Sequence, residues 1–192
     1  YGSDKSVIAI GEIYKTLGIN AHISSCKLAK ERGAFPIFDA EREKDLPYLA
    51  RLLVSNKELA SLYKKYGRRN IALTTTAPAG SVSTMTQTTS GIEPVFMLKY
   101  RRRRKITHGE NLKADFVDAM GDEWVEYDVY HHMLKKWMDV TGDDDIENSP
   151  YWGATAPELD WAQRVKIQAE AQKWVDHGIS STCNLPSDVS KE

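Results

Sequence analysis

The chain has 192 residues, 41% apolar and 28% charged, the balance of an ordinary globular domain or of part of a larger one. A net charge of −1 offers no overall field for nucleic acid or an anionic membrane, and two cysteines, Cys26 and Cys183, in no C-x-x-C pairing exclude a disulfide scaffold and a zinc module. No apolar run approaches the ~20 residues of a membrane span and YGSDKS has no leader pattern, so a cytoplasmic location is expected. The absent initiator Met and the polar end VSKE suggest a piece of a longer polypeptide.

The first segment reads as a long helix. Val7, Ile10, Tyr14, Leu17, Ala21 and Leu28 fall at helical spacing. Asp4 is the expected N-cap and Gly33 the stop, while Gly11 and Gly18 each weaken the helix by roughly 1 kcal/mol relative to Ala. A shorter helix is expected after Ser55–Glu58, whose SNKE pattern is a capping box, with Gly67 as its end. NIALTTTAP, with Ile71, Leu73 and three threonines, reads as a strand closed by Pro78. GIEPVF then leads to a strand through Tyr100, and the basic run Arg101 to Lys105 reads as a strand end and solvated loop.

Residues 106–156 are charged and irregular, and an insertion with some helix around Tyr130 to Met138 is expected. The acidic GDDDIEN run fails the EF-hand template, which needs Gly at the sixth loop position and Glu at the twelfth, and reads as a solvated turn. His131 and His132 are adjacent, so on a helix they point in different directions and make a poor metal pair. Thr155 to Glu158 has a capping-box pattern with Pro157 just inside a helix start. Trp161, Val165 and Ala169 share one face of that helix. Ile167, Ala171 and Trp174 share another, so it is expected to pack between layers. Gly178 stops it, and ISSTCNLP follows as a strand with Cys183 buried. Helix and strand alternate, which argues for an α/β fold.

The stretch TTTAPAGSVSTMTQTTSGIEP, Thr74 to Pro94, is nearly uncharged and crowded with small hydroxyl residues. A strand, a small-residue turn and a helix start can hold phosphate, because the first amides of a helix lack partners and the dipole there favours an anion. The Walker pattern G-K-[ST] is absent. The generic signal leaves a phosphate cradle and a plain capped turn both open.

The particular string APAGSVSTMTQTTSGIEPVF resembles the phosphate loop of ribonucleotide reductases, most closely the adenosylcobalamin-dependent class II, with Ala79 where Thr is usual. LAKERGAFPIFD, KKYGRRN and DHGISSTCNLP resemble flanking segments of that family. DFVDAMGDEWVEYDVYHHMLKKWM resembles an insertion of some class II members. Class I large subunits carry a tyrosine pair at the strand where this chain has Cys183 and Asn184. The resemblance implies a portion of a ten-stranded α/β barrel, spanning residues 1–192 with the 106–156 insertion. It implies substrate-phosphate contacts at Ala79, Gly80, Ser81, Val82, Ser83 and Thr84, with Ser90 to Pro94 as the turn shaping them and Glu93 structural.

It further implies a ribonucleoside di- or triphosphate substrate and adenosylcobalamin in the intact enzyme. The remainder of the reductase chain is the implied partner, with a homodimer as a further expectation, since half a barrel exposes sheet edges. The family's N-x-C-x-E radical motif and its cysteine tail are absent, so no catalytic residue and no metal ligand is expected in this segment. Two other readings stay open: a class I large-subunit fragment, and a non-catalytic module gripping nucleic acid through Arg101 to Lys105.

Overall fold

The computed structural model describes residues 1–185 and 187–190. The chain divides into two compact units, one formed by Tyr1–Pro94 with Leu159–Glu192 and the other by Val95–Glu158.

The first unit is built on α1 (Asp4–Arg32), a helix of 29 residues. Its N-cap is Ser3 rather than Asp4. Ser3 and Ser6 satisfy each other's orphan amides in a capping box, which leaves Asp4 in the first turn where its charge favours the dipole. The buried stripe of α1 combines Ile19 and Ile23 with small and polar residues that its apolar spacing does not mark. Gly11, Gly18, His22, Ser25, Cys26 and Ala29 face inward, whereas Ile8, Ile13, Leu17 and Leu28 are exposed.

The cause is close approach by α7 (Trp161–Gln172) and the turn after it. A Cβ at Gly18 would lie 2.7 Å from the carbonyl oxygen of Trp174, and one at Gly11 would lie 2.9 Å from Glu170 Oε1. The glycines cost helix propensity and admit a neighbouring backbone in return.

Three helices that cover this core follow: α2 (Ala40–Glu43), α3 (Pro47–Ser55) and α4 (Lys57–Tyr66). The first two are absent from the sequence reading. The expected cap at Ser55 is instead Asn56, whose Oδ1 accepts from Leu59 N at 2.9 Å. Ser55 belongs to the end of α3, with its hydroxyl donating to Arg51 O at 2.7 Å. Leu52, Leu59, Ile19, Ile23, Cys26 and Trp174 form the core cluster. Gly67 closes α4 at φ 65°, and a Cβ there would also strike the Phe38 ring at 2.6 Å.

Beside this core, Glu43 accepts from Arg68 Nε at 3.1 Å and from Tyr63 OH at 2.7 Å. The pair ties α2 to the segment leaving α4. Burial would raise the Glu43 carboxyl, but its bonds from Arg68 and Tyr63 prevail and hold it below the usual carboxylate range.

The expected strands at NIALTTTAP and ISSTCNLP do not form as strands. They meet at one parallel bridge, Thr76 to Ile179, extended by His177 N to Thr74 O (3.1 Å) and Ser180 N to Thr76 O (2.9 Å). The ladder is short because a side chain takes its donors: Asp176 accepts from Leu73 N at 2.8 Å and Thr74 N at 2.7 Å. Pro186 of ISSTCNLP lies outside the described residues. Cys183, expected to be buried, is exposed.

The last helix, α7, opens at the Asp160 cap, not at Thr155. Thr155 and Glu158 close a small turn of their own, with Glu158 N donating to Thr155 O at 3.1 Å and Thr155 N to Glu158 Oε2 at 3.3 Å. One face of α7 is buried, through Arg164, Ile167 and Ala171. Trp161 and Val165 on the other are 54% and 55% exposed, so α7 is not enclosed on two sides.

The second unit holds an antiparallel sheet of β1 (Lys99–Lys105), β3 (Glu123–Tyr130) and β2 (Phe116–Val117), in the order β1-β3-β2. Helix α6 (His132–Thr141) and a 3-10 turn at Ile146–Asn148 follow. The basic run is therefore strand throughout, not a loop. Its register sets Arg101 opposite Asp128 and Arg103 opposite Glu126, so cross-strand pairing compensates a strand of like charges. The architecture is α/β with a small open sheet. No described helix is long and apolar enough to cross a membrane.

Candidate functional site

Helix α5 (Gly80–Thr86) is the element that Ala79 to Thr84 builds. Ala79 stands at its N-cap with no side-chain cap bond. No acceptor among the described residues takes the N–H groups of Gly80, Ser81 or Val82, the orphan donors of a first turn. Space beside Gly80 is open, with no heavy atom within 4 Å of a Cβ built there. The hydroxyls behave differently from the amides. Ser83 and Thr84 both donate to Gly80 O, at 2.7 and 3.2 Å, so they tighten the helix and offer an approaching anion only their remaining lone-pair side. Thr86 likewise donates to Val82 O at 2.9 Å. The donors this loop keeps are its backbone amides and the exposed Ser81 hydroxyl, which has no partner among the described residues.

The loop is held from behind. Ala79 N donates to Ser90 O at 2.7 Å, which pins the helix start to the turn Ser90 to Pro94. Glu93 anchors that turn. Its Oε1 accepts from Arg164 Nη2 and from Thr182 N, both at 2.6 Å, and Arg164 Nη2 also reaches Ser181 Oγ at 2.9 Å. Burial would raise the Glu93 carboxyl, but the amides of Thr182 and of Glu93 itself, with the Arg164 guanidinium, outweigh it and keep the group below the usual range. Tyr1 adds a further tie, OH to Ile92 O at 2.6 Å.

Asp176 secures the other side. Its carboxylate serves Leu73 N, Thr74 N and the Thr74 hydroxyl, the last at 2.9 Å. Burial would raise the Asp176 carboxyl, but these donors prevail and lower it. Tyr14 OH meets Thr76 Oγ1 at 2.9 Å, linking the same segment to α1.

Sequence reading singled out Ala79 to Thr84 and treated Glu93 as structural. It did not single out Asp176 or Arg164. The DHG tripeptide displays Asp176, but nothing local shows that its partners lie about a hundred positions earlier. Arg164 sits in an apolar helix, where a buried guanidinium requires an anion; that requirement was the one available signal.

The remaining candidates are separate. Among the described residues no group of three or more His, Cys, Asp or Glu side chains could hold a metal ion. The His131 and His132 rings lie 4.4 Å apart and tilted, and burial, then the neighbouring imidazole, lowers the His131 pKa. The acidic run folds on itself, with Asp143 accepting from Asp145 N (2.9 Å) and Asn148 Nδ2 (3.1 Å). Cys26 is fully buried and burial pushes its thiol up to about 11, which makes it a core residue and not a nucleophile. The basic strand is matched in ion pairs: Lys99 with Asp128 (2.8 Å), Arg103 with Glu126 (2.7 Å), Arg104 with Glu110 (2.8 Å) and Lys105 with Asp122 (2.6 Å). An anion meeting this strand must therefore come close enough to share cations already paired within the sheet.

These features define an α/β protein in which an uncapped, small-residue helix start is braced by buried ion-pair chemistry. The whole chain, residues 1–192, matches the family described as ribonucleotide reductase, barrel domain, and it belongs to that family. It is 29% identical over 194 residues to the vitamin B12-dependent ribonucleoside-diphosphate reductase of Thermoplasma acidophilum, covering 96% of this chain and 22% of that protein. A protein of the same description from Mycobacterium tuberculosis is 27% identical, over 99% of this chain and 25% of its own length. The vitamin B12-dependent ribonucleotide reductase of Rhodopirellula baltica is 27% identical over 100% of this chain and 22% of its own. The chain spans about a quarter of the length of these curated relatives.

Proposed function

We propose that this chain is a portion of the ten-stranded barrel of a vitamin B12-dependent ribonucleotide reductase, an oxidoreductase that turns ribonucleotides into 2′-deoxyribonucleotides. In this reading its own part is to grip the phosphates of a ribonucleoside di- or triphosphate. The observation that carries it is the first turn of α5, whose free amides at Gly80, Ser81 and Val82 stand in open space on a braced loop. Amides so placed bind the anion without side-chain charge. Fixing the phosphates holds the distant ribose in register, and positioning of this kind supplies a large share of the barrier reduction in a bound reaction. Ala79 in place of a hydroxyl residue costs little here, because the donors are main-chain groups.

Adenosylcobalamin, bound to the whole enzyme, supplies the radical. His22, buried in the core with Nδ1 on Gly18 O at 2.9 Å, is not placed to meet the cobalt of that cofactor. The class I alternative is disfavoured by Cys183 and Asn184 where that class has paired tyrosines. The nucleic-acid alternative is disfavoured by the ion pairs of β1. The unit Val95–Glu158, containing the 106–156 stretch, reads as an insertion in the barrel. A cytoplasmic location and assembly with the rest of the reductase, or with a second copy, belong to the same reading.

The test is binding by the full-length reductase carrying this segment. Gly80→Val should weaken a nucleoside diphosphate and leave the corresponding nucleoside unaffected. Equal affinity of the variant and the parent for the diphosphate would sink the proposal.

A further inference from the structure

The free edge of β1 is open in a specific way. Leu98 O accepts from His131 N and Ile106 N donates to Glu123 O, each at 2.8 Å, so the pairs at the two ends of the β1–β3 ladder are of the hydrogen-bonded kind. Antiparallel pairs alternate, so Tyr100, Arg102 and Arg104 also spend their main-chain groups on β3. The N–H and C=O groups of Lys99, Arg101, Arg103 and Lys105 then point away from the sheet. None of them has a main-chain partner among the described residues.

We propose that this edge receives an extended acidic segment of a partner polypeptide as an added strand. The row of outward main-chain groups is a template for strand addition. The charge decides the occupant. A second copy pairing β1 to β1 would set Arg and Lys against Arg and Lys, which like-charge opposition forbids. An acidic strand repeats on the open side what β3 already does on the closed one, where Glu126 and Asp128 stand opposite Arg103 and Arg101. The cations can serve both sides. Arg101 reaches Glu126 at 3.5 Å and Asp128 at 3.6 Å while most of its side chain stays in water. Arg102, opposite Tyr127, lies outside the ion-pair ladder and faces the other side of the sheet. A polynucleotide has no row of amides and carbonyls to match this edge, and so fits it less well.

The experiment uses the full-length reductase carrying this segment, a short peptide of Glu-Glu-Thr repeats, which carries Glu on both faces of an extended strand, and its Lys-for-Glu counterpart. Amide exchange is read residue by residue. The acidic peptide should slow exchange about tenfold or more at Lys99, Arg101, Arg103 and Lys105, and leave Tyr100 and Arg102 as they were. The basic peptide should do nothing. Arg102→Glu, which breaks no ion pair of the ladder, should weaken the acidic peptide without changing the unliganded exchange pattern. Binding with no change at the four outward amides would overturn the proposal. So would equal protection by the basic peptide, concentration-dependent self-association through β1, or a single-stranded oligonucleotide that binds as well as the acidic peptide.

Discussion

Arg164 Nη2 and Glu93 Oε1 lie 2.6 Å apart, with side chains only 6% and 18% exposed, and they join α7 to the turn that braces α5. A charge in such a place is stable only while its partner is present. Arg164→Met should cost about 3–5 kcal/mol in urea unfolding, because Glu93 is left without its cation. Glu93→Gln keeps an acceptor for Thr182 N and should cost less, about 1–3 kcal/mol. Equal, small losses for both variants would show that the pair does not hold the turn.

Acid should unfold this chain in two stages. Burial lowers the pKa of His22, and the Gly18 carbonyl only partly offsets it. The unfolded imidazole takes up its proton near pH 6.5, before the folded one does, so stability begins to fall there. Glu93, Asp176 and Glu43 all have lowered folded pKa values. Their contribution is complete above the unfolded carboxylate values near 4 and is lost as pH falls through the lower folded ones. Stability should thus decline gently below pH ~6.5 and steeply below pH ~4. Replacing His22 by Gln should shrink the first stage and leave the part that His131, whose pKa is also lowered, contributes. A denaturation midpoint that stays flat from neutral pH down to pH ~4 would contradict the His22 assignment.

Gly18→Ala separates propensity from packing. In an exposed helix interior the change would stabilise by up to about 1 kcal/mol. Here the new methyl meets Trp174 O, a backbone atom with little freedom to move. Overpacking should dominate, with a loss of about 1–3 kcal/mol and a lower melting temperature. A stabilised variant would mean that α1 and the Trp174 turn are further apart than described.

Gly18 also marks where the sequence was legible and where it was not. Glycine stops placed the ends of α1 and α4, because those signals are local, while both expected caps lay one residue away from the true ones, Ser3 and Asn56. The apolar spacing of α1 misplaced Leu17 and Leu28, which are exposed, and missed the buried Gly11, Gly18, Ser25 and Cys26, because close approach by α7 selects small residues and periodicity counts only apolar ones. The strands expected at 71–77 and 179–186 failed for a lateral reason: Asp176 takes the amides that a ladder would use. Strand β3 was missed because its Glu and Asp residues look like loop until they are set beside Arg101 and Arg103. The loop Ala79 to Thr84 stood out from its composition and its resemblance to a known motif. Glu93 was read only as part of the shaping turn, and its partner Arg164 and the second anchor Asp176 did not stand out, since each partner is far away in sequence.

In the proposed function the start of α5 holds substrate phosphate through main-chain amides. Gly80 tests it most directly, because a Cβ there meets no described residue outside its own turn within 4 Å. In the full-length reductase carrying Gly80→Val, KM for the ribonucleotide should rise about tenfold or more, with thermal stability unchanged, as expected when one charge-assisted contact of about 1.4 kcal/mol or more is lost. An unaltered KM in a folded variant would contradict the account.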